Sequence, residues 1–259
     1  MVAVICLGTG AAVPAPGRDN TSLVLDDGET LTLVDASGSP LKRLVEAGLD
    51  PERLARVIIT HEHLDHTYGY PSLLQSLWLT GRRTPLPVYA ITETWRFLDR
   101  LVDAFRPASW PDGFPIERHE IGVGDVPFLE TDKLTVRAAR GQHAVPSIGL
   151  RVDTRAGGSL VYSSDTSPCE GIAELAREAD LLLHESTFRA GAEELANRLG
   201  HSTARQAGEV AAAAGVDRLA LIHFTPTAPD DLEGLRNDAM AAFGDRIAVP
   251  LDGDRFEVR

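Results

Sequence analysis

The sequence predicts one α/β domain spanning residues 1–259, and three observations support this fold class. A chain of 259 residues with 43% hydrophobic content is long enough to bury a substantial core. Segments with strand character alternate with segments of helical spacing along the whole chain. No clear internal repeat and no low-complexity linker interrupts this alternation. We therefore expect strands and helices to share one fold rather than to separate into domains.

The first half of the chain is predicted to contain five strands and three helices. The strands are expected over residues 2–7, 21–26, 30–35, 57–60 and 86–91. The first helix is expected over residues 39–47, because this segment opens with Ser then Pro and ends before Gly48. The third helix is expected over residues 93–104.

The second helix is indicated by apolar side chains at helical spacing, namely Leu73, Leu74, Leu77 and Trp78. Burial in the core is the favoured interpretation of this stripe, and contact with a second copy of the chain is the alternative. The loop over residues 106–115 contains Trp110 and Phe114. These two aromatic side chains could cover a pocket or pack on the body of the protein.

The second half of the chain is predicted to be rich in strands. They are expected over residues 116–121, 126–130, 134–140, 148–153, 159–163, 180–183 and 218–222, followed by two short strands near the end. Helices are expected over residues 169–177 and 230–243. Another helix should begin after His201, where Thr203 and Gln206 match a capping box, and Gly215 should end it.

Composition restricts the environment and the partners that we expect. No apolar run approaches the roughly 20 residues that cross a bilayer, and the apolar start lacks a basic leading segment, so a first strand is predicted there. Two cysteines, Cys6 and Cys169, do not form a disulfide framework, which favours a reducing cytoplasm. The net charge of −13 opposes a long polyanionic substrate but permits a small anion at a local metal centre.

Metal-ligating side chains are concentrated in one stretch, Thr60-His61-Glu62-His63-Leu64-Asp65-His66. It follows the β-branched run over residues 57–60, which predicts a buried strand, and a loop at the end of a strand can direct all these side chains to one point. Imidazole nitrogens and carboxylate oxygens are the ligands that zinc prefers. His61 and His63 could bind one ion, and Asp65 and His66 a second ion beside it.

Three further candidate ligands lie at the ends of predicted strands. They are His143, Asp165 and His223. Together with the earlier cluster they make a set of five histidines and two aspartates, which suits a dinuclear metal site.

The cluster is the HxHxDH signature of the metallo-β-lactamase superfamily, and the remainder of the chain resembles its ribonuclease Z-like branch. The resemblance extends nearly from end to end through motifs in a shared order: Leu7-Gly8-Thr9-Gly10, Asn20-Thr21-Ser22, His143-Ala144-Val145-Pro146-Ser147, Ser164-Asp165-Thr166, His184-Glu185-Ser186-Thr187, His201-Ser202-Thr203 and His223-Phe224-Thr225-Pro226. It implies an αββα sandwich, in which helices flank two mixed β-sheets.

The resemblance also implies how the ligands are shared. One metal is held by His61, His63 and His143, the other by Asp65, His66 and His223, and Asp165 bridges them. Zinc is expected first, with manganese or iron as alternatives. Two adjacent divalent ions lower the pKa of a shared water and provide a hydroxide nucleophile. Whether Asp65 also transfers a proton, or is a ligand only, stays open.

Outside the ligand set, the resemblance singles out three positions. It implies that His201 faces the scissile phosphate and pairs with Glu185, while a helix-capping role is the alternative for His201. It implies that Asp35 accepts hydrogen bonds beneath the site. His184 is expected to be buried and structural, and His119 to be a surface residue.

The functional expectation is a dinuclear metal-dependent hydrolase, specifically a phosphodiesterase of a small cyclic or nucleotide-like diester. Ribonuclease Z enzymes that process tRNA carry a long arm between the third histidine ligand and the bridging aspartate, whereas here only residues 144–164 fill that gap. Together with the charge, this leads us to expect no tRNA partner. A carboxyl hydrolase of a lactone, thioester or β-lactam is the alternative. tRNA 3′ processing ranks below it, and a non-catalytic metal-binding module ranks last.

Overall fold

The computed structural model describes residues 2–13, 15–105, 109–225 and 230–258. Within these residues the strands form two seven-stranded sheets. The first sheet has the order β14-β1-β2-β3-β4-β5-β6. Its strands are β1 (Val2–Gly8), β2 (Ser22–Asp26), β3 (Leu31–Val34), β4 (Leu54–Ile58), β5 (Leu86–Ala90), β6 (Ile116–Glu120) and β14 (Arg255–Val258).

The second sheet has the order β13-β12-β11-β10-β9-β8-β7. Its strands are β7 (Leu129–Glu130), β8 (Leu134–Arg140), β9 (Ile148–Thr154), β10 (Ser159–Tyr162), β11 (Leu181–Glu185), β12 (Arg218–Ile222) and β13 (Ile247–Ala248).

Both sheets are mixed in the same way. In the first sheet β14, β1, β2 and β3 pair antiparallel, and the pairs from β3 to β6 are parallel. In the second sheet the pairs from β7 to β10 are antiparallel, and those from β10 to β13 are parallel. Each parallel half therefore directs the carboxyl ends of neighbouring strands to one edge, where loops carry functional side chains.

The helices are α1 (Pro40–Glu46), α2 (Leu64–Thr67), α3 (Tyr70–Leu79), α4 (Thr92–Phe105), α5 (Glu170–Leu175), α6 (Glu193–Arg198), α7 (Ala204–Ala214) and α8 (Asp230–Phe243). One core lies between the two sheets. A second core lies between the first sheet and α1, α3 and α4, and a third between the second sheet and α5, α7 and α8. These layers confirm the predicted αββα sandwich.

Three local expectations need adjustment. The strand expected over residues 126–130 is only Leu129–Glu130, and Val126 is 81% exposed, so no burial holds it in a sheet. Helix α2 forms inside the predicted ligand loop, so Asp65 and His66 lie on a helical turn. Helix α6 had no predicted counterpart, because its six residues are too few to show a periodic pattern.

The stripe on α3 is buried as its favoured interpretation predicts, with Leu73, Leu74 and Leu77 in the outer core. Trp110 and Phe114 also pack against this core, and the Trp110 ring stacks on Trp78 with centroids 5.0 Å apart. The two aromatic residues therefore pack on the body. Pro226 and residues 106–108 lie outside the described residues.

Two further expectations concern cysteines and membranes. Cys6 and Cys169 are both free thiols. Among the described residues, no helix has the length and apolarity that a membrane span requires.

Candidate dinuclear metal centre

The seven predicted ligands meet in two overlapping groups. One group consists of His61, His63, His143 and Asp165, and the other of Asp65, His66, Asp165 and His223. The candidate ligand atoms of each group lie within 4.8 Å of one another. Asp165 belongs to both groups, which is the arrangement that a bridging carboxylate requires.

Each group takes two ligands from the first sheet and two from the second. His61, His63, Asp65 and His66 follow β4 of the first sheet, while His143, Asp165 and His223 follow β8, β10 and β12 of the second. The site therefore forms where the strand ends of the two sheets face each other.

The carboxylate of Asp165 lies at the middle of the cluster and is 1% exposed. Its Oδ2 is 3.3 Å from Nε2 of His223, 3.5 Å from Nε2 of His66 and 3.7 Å from Nε2 of His61. These separations are wider than hydrogen bonds, as expected for atoms arranged around a common centre.

Several of these atoms are buried without a hydrogen-bond partner. They include Nε2 of His61, Nε2 of His66 and Oδ1 of Asp165. A buried polar atom without a partner is costly, so native proteins supply one, often a metal ion. Nitrogen and carboxylate ligands at these spacings fit divalent ions such as zinc.

The second ring nitrogen of each buried histidine ligand is engaged by a protein group. Nδ1 of His143 donates to the carbonyl oxygen of Gly200 at 2.7 Å, which leaves the lone pair of Nε2 for a metal. Nδ1 of His66 lies 2.8 Å from Oδ2 of Asp35, and Nδ1 of His61 lies 3.1 Å from the hydroxyl of Thr60. These contacts set the ring orientation of the ligands.

Asp35 supports the ligand loop from below, as the resemblance implies. Its carboxylate accepts hydrogen bonds from the backbone N–H of Thr60 at 2.8 Å, from the hydroxyl of Thr60 and from His66. Asp35, Ser164 and His223 all have a positive φ, of 60°, 53° and 52°. Backbone strain of this kind concentrates at functional sites, where the surrounding contacts hold it.

Burial and neighbouring charges divide the histidine ligands into two kinds. Burial, reinforced by the adjacent His66, lowers the pKa of His61 well below its ordinary value, and burial also lowers the pKa of His63 and His143. Burial opposes the charged form of His66 too, but neighbouring carboxylates, Asp165 foremost, raise its pKa well above the ordinary value. The protonated form of His66 is therefore favoured in the metal-free protein, and a metal ion would compete with that proton.

A second cluster adjoins the ligands at Glu185, which ends β11. Oε1 of this buried carboxylate accepts from the backbone N–H groups of Thr166 at 3.2 Å and Ser202 at 3.1 Å, and from Nδ1 of His201 at 2.9 Å. Oε2 accepts from the N–H and the hydroxyl of Thr187 at 3.0 and 2.9 Å. Both oxygens are thus fully hydrogen-bonded and fixed in place.

His201 lines the cleft next to the ligands, with 17% of its side chain exposed. Burial lowers its pKa, but the hydrogen bond and the charge of Glu185 outweigh burial and raise it. Because Nδ1 is engaged by Glu185, Nε2 is the nitrogen left for a substrate. The N-cap of α7 is Thr203, whose capping box with Gln206 is complete, so His201 does not cap this helix.

The cleft above the ligands has a volume of about 460 Å³. Its lining consists of Ala11, Ala12, Val13, His63, Leu64, Asp65, Asp165, Thr187, His201, His223 and Thr225. Outside the ligands and the Thr187–His201 cluster the wall is largely apolar, and no lining residue within the described part of the chain is a lysine or arginine.

The two remaining histidines behave as expected. His184 is fully buried, and its Nδ1 donates to the carbonyl oxygen of Glu185 at 2.7 Å. His119 lies at the surface with 44% of its side chain exposed.

Two residues of the site were not anticipated. Thr187 contacts both Glu185 and His223 through its hydroxyl. Its position two residues after the end of a strand, within the motif His184-Glu185-Ser186-Thr187, was a usable signal. Gly200 supplies the carbonyl for His143, and nothing in the sequence indicates this contact between residues 57 apart.

Comparison with known proteins agrees with the fold and the site. A profile described as a Beta-lactamase superfamily domain matches residues 30–224. The fold and the ligand set define a dinuclear metallo-hydrolase with the metallo-β-lactamase fold. The chain belongs to the β-lactamase superfamily as a ribonuclease Z-like member. Its sequence is 32% identical to the Ribonuclease Z of Methanothermobacter thermautotrophicus, over 87% of each chain.

Two solved structures show the same fold. Human tRNase Z, short form, has a TM-score of 0.81 with 25% identity, and the match covers 99% of both chains. The metallo-beta-lactamase fold protein YhfI from Bacillus subtilis has a TM-score of 0.81 with 24% identity, and the match covers 98% of both chains.

These comparisons overturn the expectation that tRNA is not a partner. Relatives matching most of the chain are named Ribonuclease Z, and one structural counterpart is a tRNase Z. The expectation was wrong because it relied on the short segment over residues 144–164 and on a net charge of −13, which averages over the whole surface. Net charge says little about the local surface that would meet a nucleic acid.

Proposed function

We propose that this chain is a metal-dependent phosphodiesterase whose substrates are RNA molecules, as the names of its relatives indicate. The observation that carries the proposal is the pair formed by Nδ1 of His201 and Oε1 of Glu185, 2.9 Å apart, beside a complete set of seven candidate ligands. An enzyme that attacks carbonyl groups needs the metal ligands. It does not need an imidazolium, such as that of His201, to donate to a phosphoryl oxygen.

The metal-binding proposal assigns His61, His63 and His143 to one ion, and Asp65, His66 and His223 to the other, with Asp165 shared. Two divalent ions, zinc first, would supply Lewis acidity and activate water for attack. The buried atoms without partners and the engaged second nitrogens support this assignment.

The protein itself contributes a donor and a proton carrier. Glu185 raises the pKa of His201 and so favours its charged form, whose Nε2 can donate to a non-bridging oxygen of the phosphoryl group as charge develops there. Asp65 lines the cleft with 14% of its side chain exposed. In this proposal its carboxylate accepts the proton of the attacking water and returns it to the leaving oxygen.

The test uses zinc- and manganese-loaded protein on a tRNA precursor with a 3′ extension and on bis(p-nitrophenyl) phosphate. We expect turnover of both by the wild type and its loss in Asp65→Ala. Absence of cleavage of either substrate above the Asp65→Ala background would contradict the proposal. A lactone and thioester panel run in parallel would show whether the centre instead attacks carbonyl groups.

A small diester is a second candidate substrate, favoured by the segment between His143 and Asp165. In this fully described stretch, β9 and β10 are joined by a turn over residues 155–158. The stretch therefore forms a short hairpin and carries no long arm that would select for a large RNA. The ratio of kcat/KM for a cyclic dinucleotide to that for the RNA precursor decides between the two substrate classes.

A further inference from the structure

The hydroxyl of Thr187 lies among four polar atoms of the proposed centre, and the following inference depends on that centre binding metal. Its Oγ1 is 2.9 Å from Oε2 of Glu185, 3.0 Å from Nδ1 of His223, 3.0 Å from the carbonyl oxygen of His223 and 3.3 Å from Nδ1 of His201. A hydroxyl has one proton and two lone pairs, so it cannot donate to all of these atoms.

The contacts of Glu185 determine where that proton goes. Every other group near the two carboxylate oxygens is a donor: the N–H groups of Thr166, Ser202 and Thr187, and Nδ1 of His201. Glu185 is therefore an acceptor only. The other acceptor within reach of the Thr187 hydroxyl is the carbonyl oxygen of His223 at 3.0 Å, but Oε2 is nearer, at 2.9 Å, and a carboxylate oxygen is the stronger acceptor. The Thr187 proton points to Glu185, and its lone pairs are left for a donor.

The donor opposite those lone pairs is the ring of His223. With Oγ1 as acceptor, Nδ1 of His223 carries a hydrogen, and Nε2 keeps its lone pair. Nε2 is the atom that faces the metal cluster, 3.4 Å from Oδ2 of Asp65 and 3.3 Å from Oδ2 of Asp165. The hydroxyl thus selects the tautomer in which His223 can bind a metal ion.

We propose that Thr187 is a positioning residue that links Glu185 to His223, so that one buried carboxylate orients two imidazoles. Oε1 of Glu185 holds His201 directly, and Oε2 holds His223 through the Thr187 hydroxyl. The second metal site and the phosphate-facing histidine therefore depend on the same carboxylate. His61 and His143 of the first metal site are oriented by other groups, namely Thr60 and Gly200.

The experiment measures zinc binding to the purified chain by competition with a chromophoric chelator, without substrate. The variants are Thr187→Val, which removes the hydroxyl and keeps the shape, and Thr187→Ser, which keeps the hydroxyl. Ser186→Ala is the matched control, since its hydroxyl donates to the carbonyl oxygen of Ile222 and, among the described residues, makes no hydrogen bond to a candidate ligand. Asp65→Ala identifies which zinc equivalent belongs to the second site.

We expect wild type, Thr187→Ser and Ser186→Ala to bind two zinc ions alike. Thr187→Val should bind the first ion normally and the second roughly 10–100-fold more weakly, the usual effect of removing a group that orients a ligand. Two-zinc binding by Thr187→Val as tight as in the wild type would overturn the inference. So would a Thr187→Ser variant as weak as Thr187→Val, because then the methyl group would matter.

Folding is controlled separately. Thermal unfolding of the metal-free variants tests whether Thr187→Val is intact, and Thr187→Ala replaces it if it is not. Zinc binding requires no knowledge of the substrate. Normal two-zinc binding without phosphodiester turnover would contradict the proposed function and leave the role of Thr187 standing.

Discussion

Gly200 and His143 are in direct contact across 57 residues of sequence. The carbonyl oxygen of Gly200 accepts from Nδ1 of His143 at 2.7 Å, and a Cβ added to Gly200 would stand 2.9 Å from that same nitrogen. Only a residue without a side chain leaves the imidazole of this candidate ligand in place.

The first prediction is that Gly200→Ala displaces His143 and weakens zinc binding at the first site by roughly 10–100-fold. Gly191→Ala is the matched control: φ is +94° at Gly191 and +79° at Gly200, but nothing lies within 4 Å of the added Cβ at Gly191. Both variants should lose about 1 kcal/mol of stability from the left-handed backbone, and Gly200→Ala should lose more because its Cβ also comes within 2.8 Å of the backbone nitrogen of Ala144. Chelator competition should separate them, and equal zinc affinities would refute the steric explanation.

The second prediction concerns Asp35, whose carboxylate holds Thr60 and His66. Asp35→Asn keeps a residue type that tolerates positive φ, so backbone strain is not the variable. In Asp35→Asn an NH₂ group replaces one carboxylate oxygen. This buried donor then faces another donor, from Thr60 or His66, at a cost of about 1–3 kcal/mol of stability. Chemical denaturation should show the lost stability, and zinc titration should show a weakened second site. A variant that matches the wild type in both measurements would mean that Asp35 does not support the loop.

The third prediction is that His201→Ala removes catalysis and leaves the metals bound. Nε2 of His201 is proposed to act on the phosphoryl oxygen, whereas all seven candidate ligands stay in place. Loss of one preorganised donor should reduce kcat by roughly 10²–10³-fold. Steady-state kinetics and zinc stoichiometry are measured together, with His119→Ala at the surface as control. Loss of zinc in His201→Ala would show that the residue supports the ligands instead.

The fourth prediction is a shifted pH profile in Glu185→Gln. Burial lowers the pKa of His201, and Glu185 more than compensates, so the folded pKa is raised. A raised pKa means that the imidazolium is present at low pH and is lost as the pH rises through that value. Glu185→Gln removes the carboxylate charge, so the alkaline limb of kcat/KM should move to lower pH. An unmoved limb would show that His201 is not the group that titrates.

The fifth prediction is that zinc binding weakens as the pH falls. Burial opposes the charged form of His66, but neighbouring carboxylates outweigh burial and raise its pKa, which favours the protonated form of this ligand in the metal-free protein. Zinc must displace that proton, and acid opposes the exchange. Zinc titrations in weakly buffered solutions should release protons. Affinity independent of pH on the acid side of neutrality would contradict this.

The ligands were predictable because each follows a strand whose apolar pattern is visible in the sequence. The β-branched run over residues 57–60 and the capping box at Thr203 and Gln206 depend on interactions between residues close in sequence, so they can be predicted from the sequence. The contacts of Thr187 and Gly200 were not predictable, since they depend on which strand ends meet in space. Val126 shows that a local signal can also mislead: this β-branched residue favours a strand, but it has no partner strand and stays exposed.

Each candidate ion draws two ligands from the loop after β4 and two from the opposing sheet. Bound metal would therefore cross-link the two halves of the sandwich in the same way as a pair of disulfides, but reversibly. Without metal, the apolar layer between the sheets and a few hydrogen bonds, such as that from the hydroxyl of Ser164 to the hydroxyl of Thr60 at 2.9 Å, would hold the halves together. Metal supply should then govern whether the halves unfold as one cooperative unit or in succession.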